Sequence, residues 1–415
     1  MADAATRRRW FWPVVAVLIG LRVLSLVVAL GSGQEAPDSI LGGDARRYHE
    51  IAFAEGTPYE DFAVEYPPGA LVAIVAVDDL DPVAMLWKLG WSQLALELVT
   101  AAVLWWAWGR AALLAYLVLG TPFLLYPFPY FRVDLVAVAL ATGGMALLRK
   151  RHDLPAGVVT AAAVLAKAWP IVLGGAFVVE RRGRALGAWM AAGVALVAGW
   201  VLWAGTAGPI EVFSFRGATG WQIESLPGIV VHALAPERAK VESGAWRTGV
   251  MPGWSRPVLT LLSFGGAALA WVLADRRRRA GAGDHITFGL APLVAITSLL
   301  VFAPIISPQY LLWVVPWAAI LVAAGDRLLG ALTLAAVAAS TFGMLFILDQ
   351  IEGGLLGVGP VLVRNGLLVA IFAIGMAQLA GWARSGAQVA ASNVIAPMSD
   401  SAPTRSSVEV NSGTP

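Results

Sequence analysis

The sequence predicts an all-α polytopic membrane protein, a bundle of about 12 transmembrane segments within a range of roughly 10–13. Three observations predict it. Of 415 residues, 58% are hydrophobic and 13% charged, about half the charge of an average soluble domain. Apolar runs of spanning length recur along most of the chain. Arg and Lys gather in short clusters between those runs rather than along one face, which is how a topology signal is written.

Residue usage narrows the possibilities further. The 44 Gly allow close helix approach and the 18 Trp suit interfacial anchoring. The absence of Cys removes disulfides, thiolate metal sites and cysteine nucleophiles. A net charge of +2, set by clusters between apolar runs, gives no ground for a nucleic-acid partner.

The first apolar run, 11–30, follows Arg7, Arg8 and Arg9. It reads as a signal anchor that leaves the N-terminus cytoplasmic. A cleaved signal peptide is the alternative, disfavoured by the length of the run, by Arg22 within it, and by the lack of a clear small-x-small site near Gly31-Ser32-Gly33. Further spans are expected at 83–108, 111–127, 133–148, 185–204, 257–274, 286–303, 309–324, 328–348 and 359–382. The piece 156–179 is flanked by Arg149-Lys150-Arg151 and by Arg181, Arg182 and Arg184, so both of its ends face the cytoplasm. It is too short to cross a core of about 30 Å twice at full length. A pair of short helices or a re-entrant hairpin is expected, broken near Lys167-Ala168-Trp169-Pro170.

This arrangement puts both termini in the cytoplasm and places Arg276 to Arg279 there too, while acidic residues favour the outer loops. Residues 1–384 form one transmembrane domain, and 385–415 form a disordered cytoplasmic tail of Ser, Ala, Pro, Asn and Val without a period. The charges expected deep within spans are Arg22, Glu97 and Lys167.

Polar and aromatic motifs concentrate on the outer side. In the first outer loop, Gly42-Gly43 precedes Asp44, with Tyr48, Ile51 and Ala52 at helical spacing, which predicts a short interfacial helix. Asp44 there is either a helix cap or a reactive carboxylate. The same loop continues through Pro58-Tyr59 to Glu65-Tyr66-Pro67-Pro68, and the apolar stretch 69–77 is too short to cross, so a half-helix is expected. Arg132 and Asp134 lie at the outer end of two spans and either satisfy one another or serve a site. The long loop 205–256 carries Arg216-Gly217 and Gln222-Ile223-Glu224-Ser225, and Ser307-Pro308-Gln309-Tyr310 makes an outer turn. Four polar patches on one face predict a shared outer cavity, with carboxylates for proton transfer, cations for an anion and aromatics for a sugar or a lipid groove. Lys167 either snorkels or pairs with an anion such as a lipid phosphate.

Asp44 in the first outer loop, Tyr48, Pro58-Tyr59, Glu65-Tyr66-Pro67-Pro68, Arg132-Val133-Asp134, Ala166-Lys167-Ala168-Trp169-Pro170, Arg216-Gly217 with Gln222-Ile223-Glu224-Ser225, and Ser307-Pro308-Gln309-Tyr310 occur in this order. Together they resemble the polyprenyl-phosphate-mannose-dependent glycosyltransferases of family 87, in the GT-C superfamily of integral membrane glycosyltransferases. The resemblance covers about two thirds of the chain, from residue 44 to 317. It implies a GT-C fold, a hexose, mannose in this family, carried on polyprenyl phosphate, a lipid or glycan acceptor, and inverting displacement at the outer face of the cytoplasmic membrane, with Asp44 as base. It implies Lys167, Arg132 and Arg216 as donor-phosphate ligands. Gln222 and Glu224 would bond sugar hydroxyls, Glu65 and Tyr66 would shape the first loop, and Tyr48, Asp134, Gln309 and Tyr310 would complete the sugar or acceptor site. A sugar phosphate is an activated donor, so no redox cofactor or nucleotide is implied, and a metal is optional where Arg or Lys supplies positive charge. One departure stands out. The mannosyltransferase branch carries a histidine-containing segment after the Ser-Pro turn, where this chain has Gln309-Tyr310-Leu311-Leu312-Trp313, which leaves the sugar and acceptor open.

Two other classes compete. A transporter or lipid flippase would show mirrored halves with broken helices and polar residues at the midplane. No second half mirrors the break at Lys167–Pro170, and the polar residues crowd one face. A structural membrane protein would explain the apolar bulk but not the outer loops.

Overall fold

Among the described residues sixteen α-helices, named here in chain order, make up the fold. A computed structural model describes residues 2–32, 43–206, 208–210, 219–235, 237–242 and 244–382. The expected tail 385–415 and Arg216 lie outside the described residues.

Helix α1 (Ala2–Gly31) is followed by the short α2 (Gly43–Ala52) and α3 (Pro68–Val75), then by the 27-residue α4 (Pro82–Trp108). The two short helices are those expected in the first outer loop. Helix α1 packs on α4 and α5 (Arg110–Leu119), and the Arg22 guanidinium, fully buried, meets Glu97 of α4 at 2.8 Å. Arg22 also donates to the Leu18 and Leu117 carbonyls, and Tyr130 donates to the other Glu97 oxygen at 2.5 Å. A charge in an apolar bundle is tolerated only when paired in this way.

Several segments are shorter than spans. The run expected at 111–127 is helical only to Leu119, because Gly120 and Pro122 divert it into a 3₁₀ turn, Thr121–Leu125. A second 3₁₀ turn, Phe128–Phe131, leads into α6 (Asp134–Arg149). The piece between the Arg clusters is the expected pair of short helices. Its first half, α7 (Asp153–Ala166), rises about 21 Å and stops at Lys167. Its second half is a 3₁₀ turn, Trp169–Gly174, running into α8 (Gly175–Val179).

Helix α9 (Gly183–Ala204) leads to the long loop, which holds α10 (Leu226–Leu234) and a three-stranded antiparallel sheet that the all-helical reading did not foresee. Its order is β1 (Trp221–Gln222), β3 (Ala245–Thr248), β2 (Lys240–Glu242). The Glu242 carboxylate accepts from the Thr219 and Gly220 amides and the Thr219 hydroxyl, which together hold it below the usual carboxylate range. Then follow α11 (Ser255–Arg279), a π-helical turn Ile286–Leu290 running into α12 (Ala291–Phe302), a 3₁₀ turn Pro308–Trp313 and α13 (Val315–Ala323). Helices α14 (Arg327–Leu345), α15 (Ile347–Ile351) and α16 (Leu355–Ala380) complete the chain.

Among the described residues five helices are long and apolar enough to cross a membrane: Trp10–Gly31, Gly183–Ala204, Ser255–Arg279, Arg327–Leu345 and Leu355–Ala380. The shorter helices α6, α7 and α8 each have one end at the same basic face. There Arg149 pairs with Asp284, Arg181 with Asp275, Arg182 with Asp153 and Arg278 with Glu180. Helices that begin level and differ in length finish at different heights. Helices α6 and α7 therefore stop short at the opposite end of the bundle, and Asp44, Arg132, Asp134 and Lys167 gather at this recess.

Candidate active site

Helix α2 brings Asp44 to the recess. Its apolar face, Ala45, Tyr48 and Ile51, is buried against α4 and α3, and Asp44 lies in its first turn. The segment after it is clamped on both sides. Arg47 pairs with Glu65 at 3.1 Å and donates to the Ala63 carbonyl, while the Tyr59 hydroxyl donates to the Tyr66 carbonyl at 2.6 Å. Tyr59 holds φ 73, a left-handed conformation that a bulky residue adopts only when its surroundings fix it. Those surroundings are Trp200 and Trp203 of α9.

Tyr66 is thereby held edge-on to Tyr48, with ring centroids 5.5 Å apart. Burial and the Asp44 carboxylate push the Tyr48 phenol well above its ordinary value, so it stays protonated. The loop then meets the hairpin tip. A Cβ on Gly69 would stand 2.7 Å from the Leu165 carbonyl and the Ala166 amide, so only glycine lets α3 sit on the end of α7. Asp44 and Lys167 are joined through this contact.

Arg132 and Asp134 each meet a partner from another element. Arg132 leaves its 3₁₀ turn in an extended conformation, and its Nε stands 2.5 Å from Asp44 Oδ2. Asp134 opens α6 and binds Lys167 Nζ through both oxygens, at 2.8 and 2.9 Å. It also accepts from Trp313 Nε1 at 2.9 Å. Lys167 stands free of α7 because the following Trp169-Pro170 diverts the chain, and its own backbone is extended. Its ammonium faces the rings of Tyr310 and Trp313 at 4.9 and 5.6 Å, a cation–π arrangement. Residues three apart eclipse in a 3₁₀ turn. Tyr310 and Trp313 accordingly stack at 4.1 Å, and Trp169 continues the stack on Trp313 at 5.4 Å.

Two carboxylates and two cations are thus interleaved, each pair built from separate elements. They differ in access. The Asp44 side chain is 37% exposed and the Asp134 side chain 2%, so only Asp44 is open to an incoming hydroxyl.

The remaining expected residues fall in three places. Gln309, 8% exposed, lies in the turn that carries Tyr310 and Trp313, and that turn packs on the one that carries Arg132. Gln222 Oε1 accepts from the Ile306 and Glu224 amides, which ties the long loop to the Ser307-Pro308 turn. Glu224 points elsewhere: it meets Arg364 of α16 at 2.8 Å, and its carbonyl accepts from Arg364 and Asn365. Arg364 is a fully buried charge to be added to Arg22, Glu97 and Lys167. Trp313 and Trp169 stand within motifs read from the sequence but carry no expected role there; the spacing of Tyr310 and Trp313 beside a Pro-started turn is the available signal.

Among curated proteins, none matches the chain. Residues 64–304, more than half of it, match the sequence profile of glycosyltransferase family 87.

Proposed function

Because the chain belongs to glycosyltransferase family 87, and is therefore a membrane glycosyltransferase rather than a transporter, we propose that it moves a hexose, mannose in the first instance, from polyprenyl phosphate to a lipid or glycan acceptor. The reaction occurs at the outer face of the cytoplasmic membrane with inversion. The observation that carries this reading is the Asp44–Arg132 ion pair beside Lys167, at the bundle end opposite the basic clusters.

The acceptor oxygen attacks the anomeric carbon, the bond from that carbon to the phosphate oxygen breaks on the opposite side, and the acceptor proton passes to Asp44. The leaving polyprenyl phosphate carries the electron pair as an anion, and Arg132 and Lys167 stabilise it. Arg132 exchanges the Asp44 carboxylate for the phosphate as the donor enters, which leaves Asp44 available to the hydroxyl. Asp134, saturated by Lys167 and Trp313, holds the ammonium in place. Gln309 and Tyr310, in the adjoining turn, supply polar contacts to the sugar. Arg216 remains a candidate third phosphate ligand.

The test incubates membranes containing the protein with radiolabelled polyprenyl-phosphate sugars and extracted lipids, then reads the anomeric configuration of the product by NMR. Transfer with inversion is expected. Retention of configuration, or labelling from nucleotide sugars alone, would count against the reading.

A further inference from the structure

The Arg22–Glu97 pair lies where charge is expensive. Arg22 is fully buried, about 14 Å along the helix axis from the Gly31 end of the first span, and Glu97 is buried with it on α4. Replacing a buried ion pair by apolar side chains of similar size is often neutral or stabilising, so stability alone does not account for two charges at this depth. Their geometry gives them a second use.

Three helices triangulate the Glu97 carboxylate. Arg22 of α1 donates from Nε to Glu97 Oε1 at 2.8 Å, and its terminal nitrogens donate to the Leu18 and Leu117 carbonyls at 3.0 and 2.7 Å. Leu117 lies in the last turn of α5, where carbonyls lack an intrahelical partner and the helix dipole favours a cation. Gly120, just past that turn, leaves the space: a Cβ there would stand 3.0 Å from Arg22 Nη2 and 3.5 Å from Glu97 Oε1. The guanidinium thereby orients the carboxylate and leaves its second oxygen to the turn Phe128–Phe131.

That oxygen accepts from the Tyr130 hydroxyl at 2.5 Å, within the range of a charge-assisted bond. No side chain caps this turn, and the phenol ties it to α4 from the side. Arg132 follows within about 7 Å of backbone. Its Nη1 is braced on the Phe131 carbonyl at 3.0 Å while its Nε meets Asp44. A shift of the turn therefore carries the guanidinium with it.

We propose that Tyr130 and Glu97, with Arg22 behind them, are positioning residues for Arg132: they set the point at which its guanidinium meets the donor phosphate. All three are buried, so they act through Arg132 rather than on substrate. The proposal rests on the reading of Arg132 as a phosphate ligand given above, and adds what holds it in place.

The experiment uses the full-length protein in membranes and two readouts. The first is kcat/KM for polyprenyl-phosphate mannose at saturating extracted lipids. Tyr130→Phe keeps the ring and removes the hydroxyl. It should lower kcat/KM roughly ten- to hundredfold with folding retained in a Tm scan, the scale on which a misplacement of about 1 Å costs rate. In an Arg132→Met background the same substitution should cost nothing further, because the group it positions is gone. The triple variant Arg22→Met, Glu97→Leu, Tyr130→Phe has no charge left at this place, so it should fold and show the same loss as Tyr130→Phe.

The second readout needs no donor. A water-soluble carbodiimide with glycine ethyl ester labels carboxyl groups, and Tyr130→Phe should raise labelling of Asp44 severalfold by loosening its pair with Arg132. Wild-type kcat/KM in folded Tyr130→Phe protein, an equal loss in both backgrounds, wild-type transfer by the triple variant, or unchanged Asp44 labelling overturns the proposal. Raised Asp44 labelling in a protein that transfers nothing from polyprenyl donors, wild type included, sustains the positioning of Arg132 and removes the functional reading instead.

Discussion

Lys167 Nζ lies 2.8 Å from Asp134 Oδ1, bridging the tip of a broken hairpin and the first turn of a separate helix. Both groups are largely buried, and the carboxylate is also held by Trp313. The pair fixes the height at which the recess floor sits, because it joins the ends of two short helices. Breaking it by removing one partner leaves an uncompensated charge, which costs about 3–5 kcal/mol, whereas replacing both by apolar groups of similar size is close to neutral. Asp134→Ala should therefore lower Tm sharply in detergent. Asp134→Leu combined with Lys167→Met should recover most of that loss while transfer stays absent. Recovery of transfer by the double variant would show that Lys167 has no role beyond holding the fold.

Arg132 joins the base to the donor site. Arg132→Met should reduce transfer by about 10²–10³-fold, the usual effect of removing one charge-stabilising donor. Arg132→Lys should retain an intermediate rate, since it keeps the charge and loses the planar fork. Steady-state assays at saturating acceptor separate the two, and equal rates for both variants would argue against a phosphate contact.

Gly69 tests the seating of the first loop. Gly69→Ala places a Cβ within 2.7 Å of the α7 backbone, which cannot yield as a side-chain end would. A cost of about 1–3 kcal/mol is expected, read as a lower Tm. Transfer by the protein that remains folded should also be impaired, because Asp44 and Lys167 are joined through this contact. A variant with wild-type Tm and rate would mean that the loop does not rest on the hairpin.

Glu224 separates structure from sugar binding. Its carboxylate meets the fully buried Arg364, so Glu224→Ala should lower Tm by the same mechanism as Asp134→Ala. Glu224→Leu with Arg364→Met should restore Tm, and it should also restore transfer if the pair only anchors the long loop to α16. A restored Tm with a raised donor KM would instead give Glu224 the sugar contact that its motif suggests.

The architecture was legible because hydropathy and basic clusters report directly on bilayer crossing, and the charges of the recess stood out because Asp, Arg and Lys are expensive in an apolar chain. Lys167 is visible on those grounds alone, whereas Asp44, a cap or a reactive carboxylate by its residues, and Arg132, at the outer end of a span, take their roles from the family resemblance. Their partners are not visible in the sequence. Arg132 and Asp134, two residues apart, look made for each other, and only the tertiary fold turns one toward Asp44 and the other toward Lys167. Arg364 sits inside an expected span, with its counter-charge in a distant loop. Trp313 and Trp169 are two of 18 tryptophans, so no composition argument marks them. The small sheet was missed because strands of two to four residues carry no readable alternation.

The central claim is that the Asp44 carboxylate removes the acceptor proton, and the rate of transfer by Asp44→Asn measures it most directly. Asparagine keeps the shape and cannot take a proton, so transfer should fall by at least about 10²–10⁴-fold with Tm retained. Transfer at the wild-type rate by a folded Asp44→Asn protein would contradict the account.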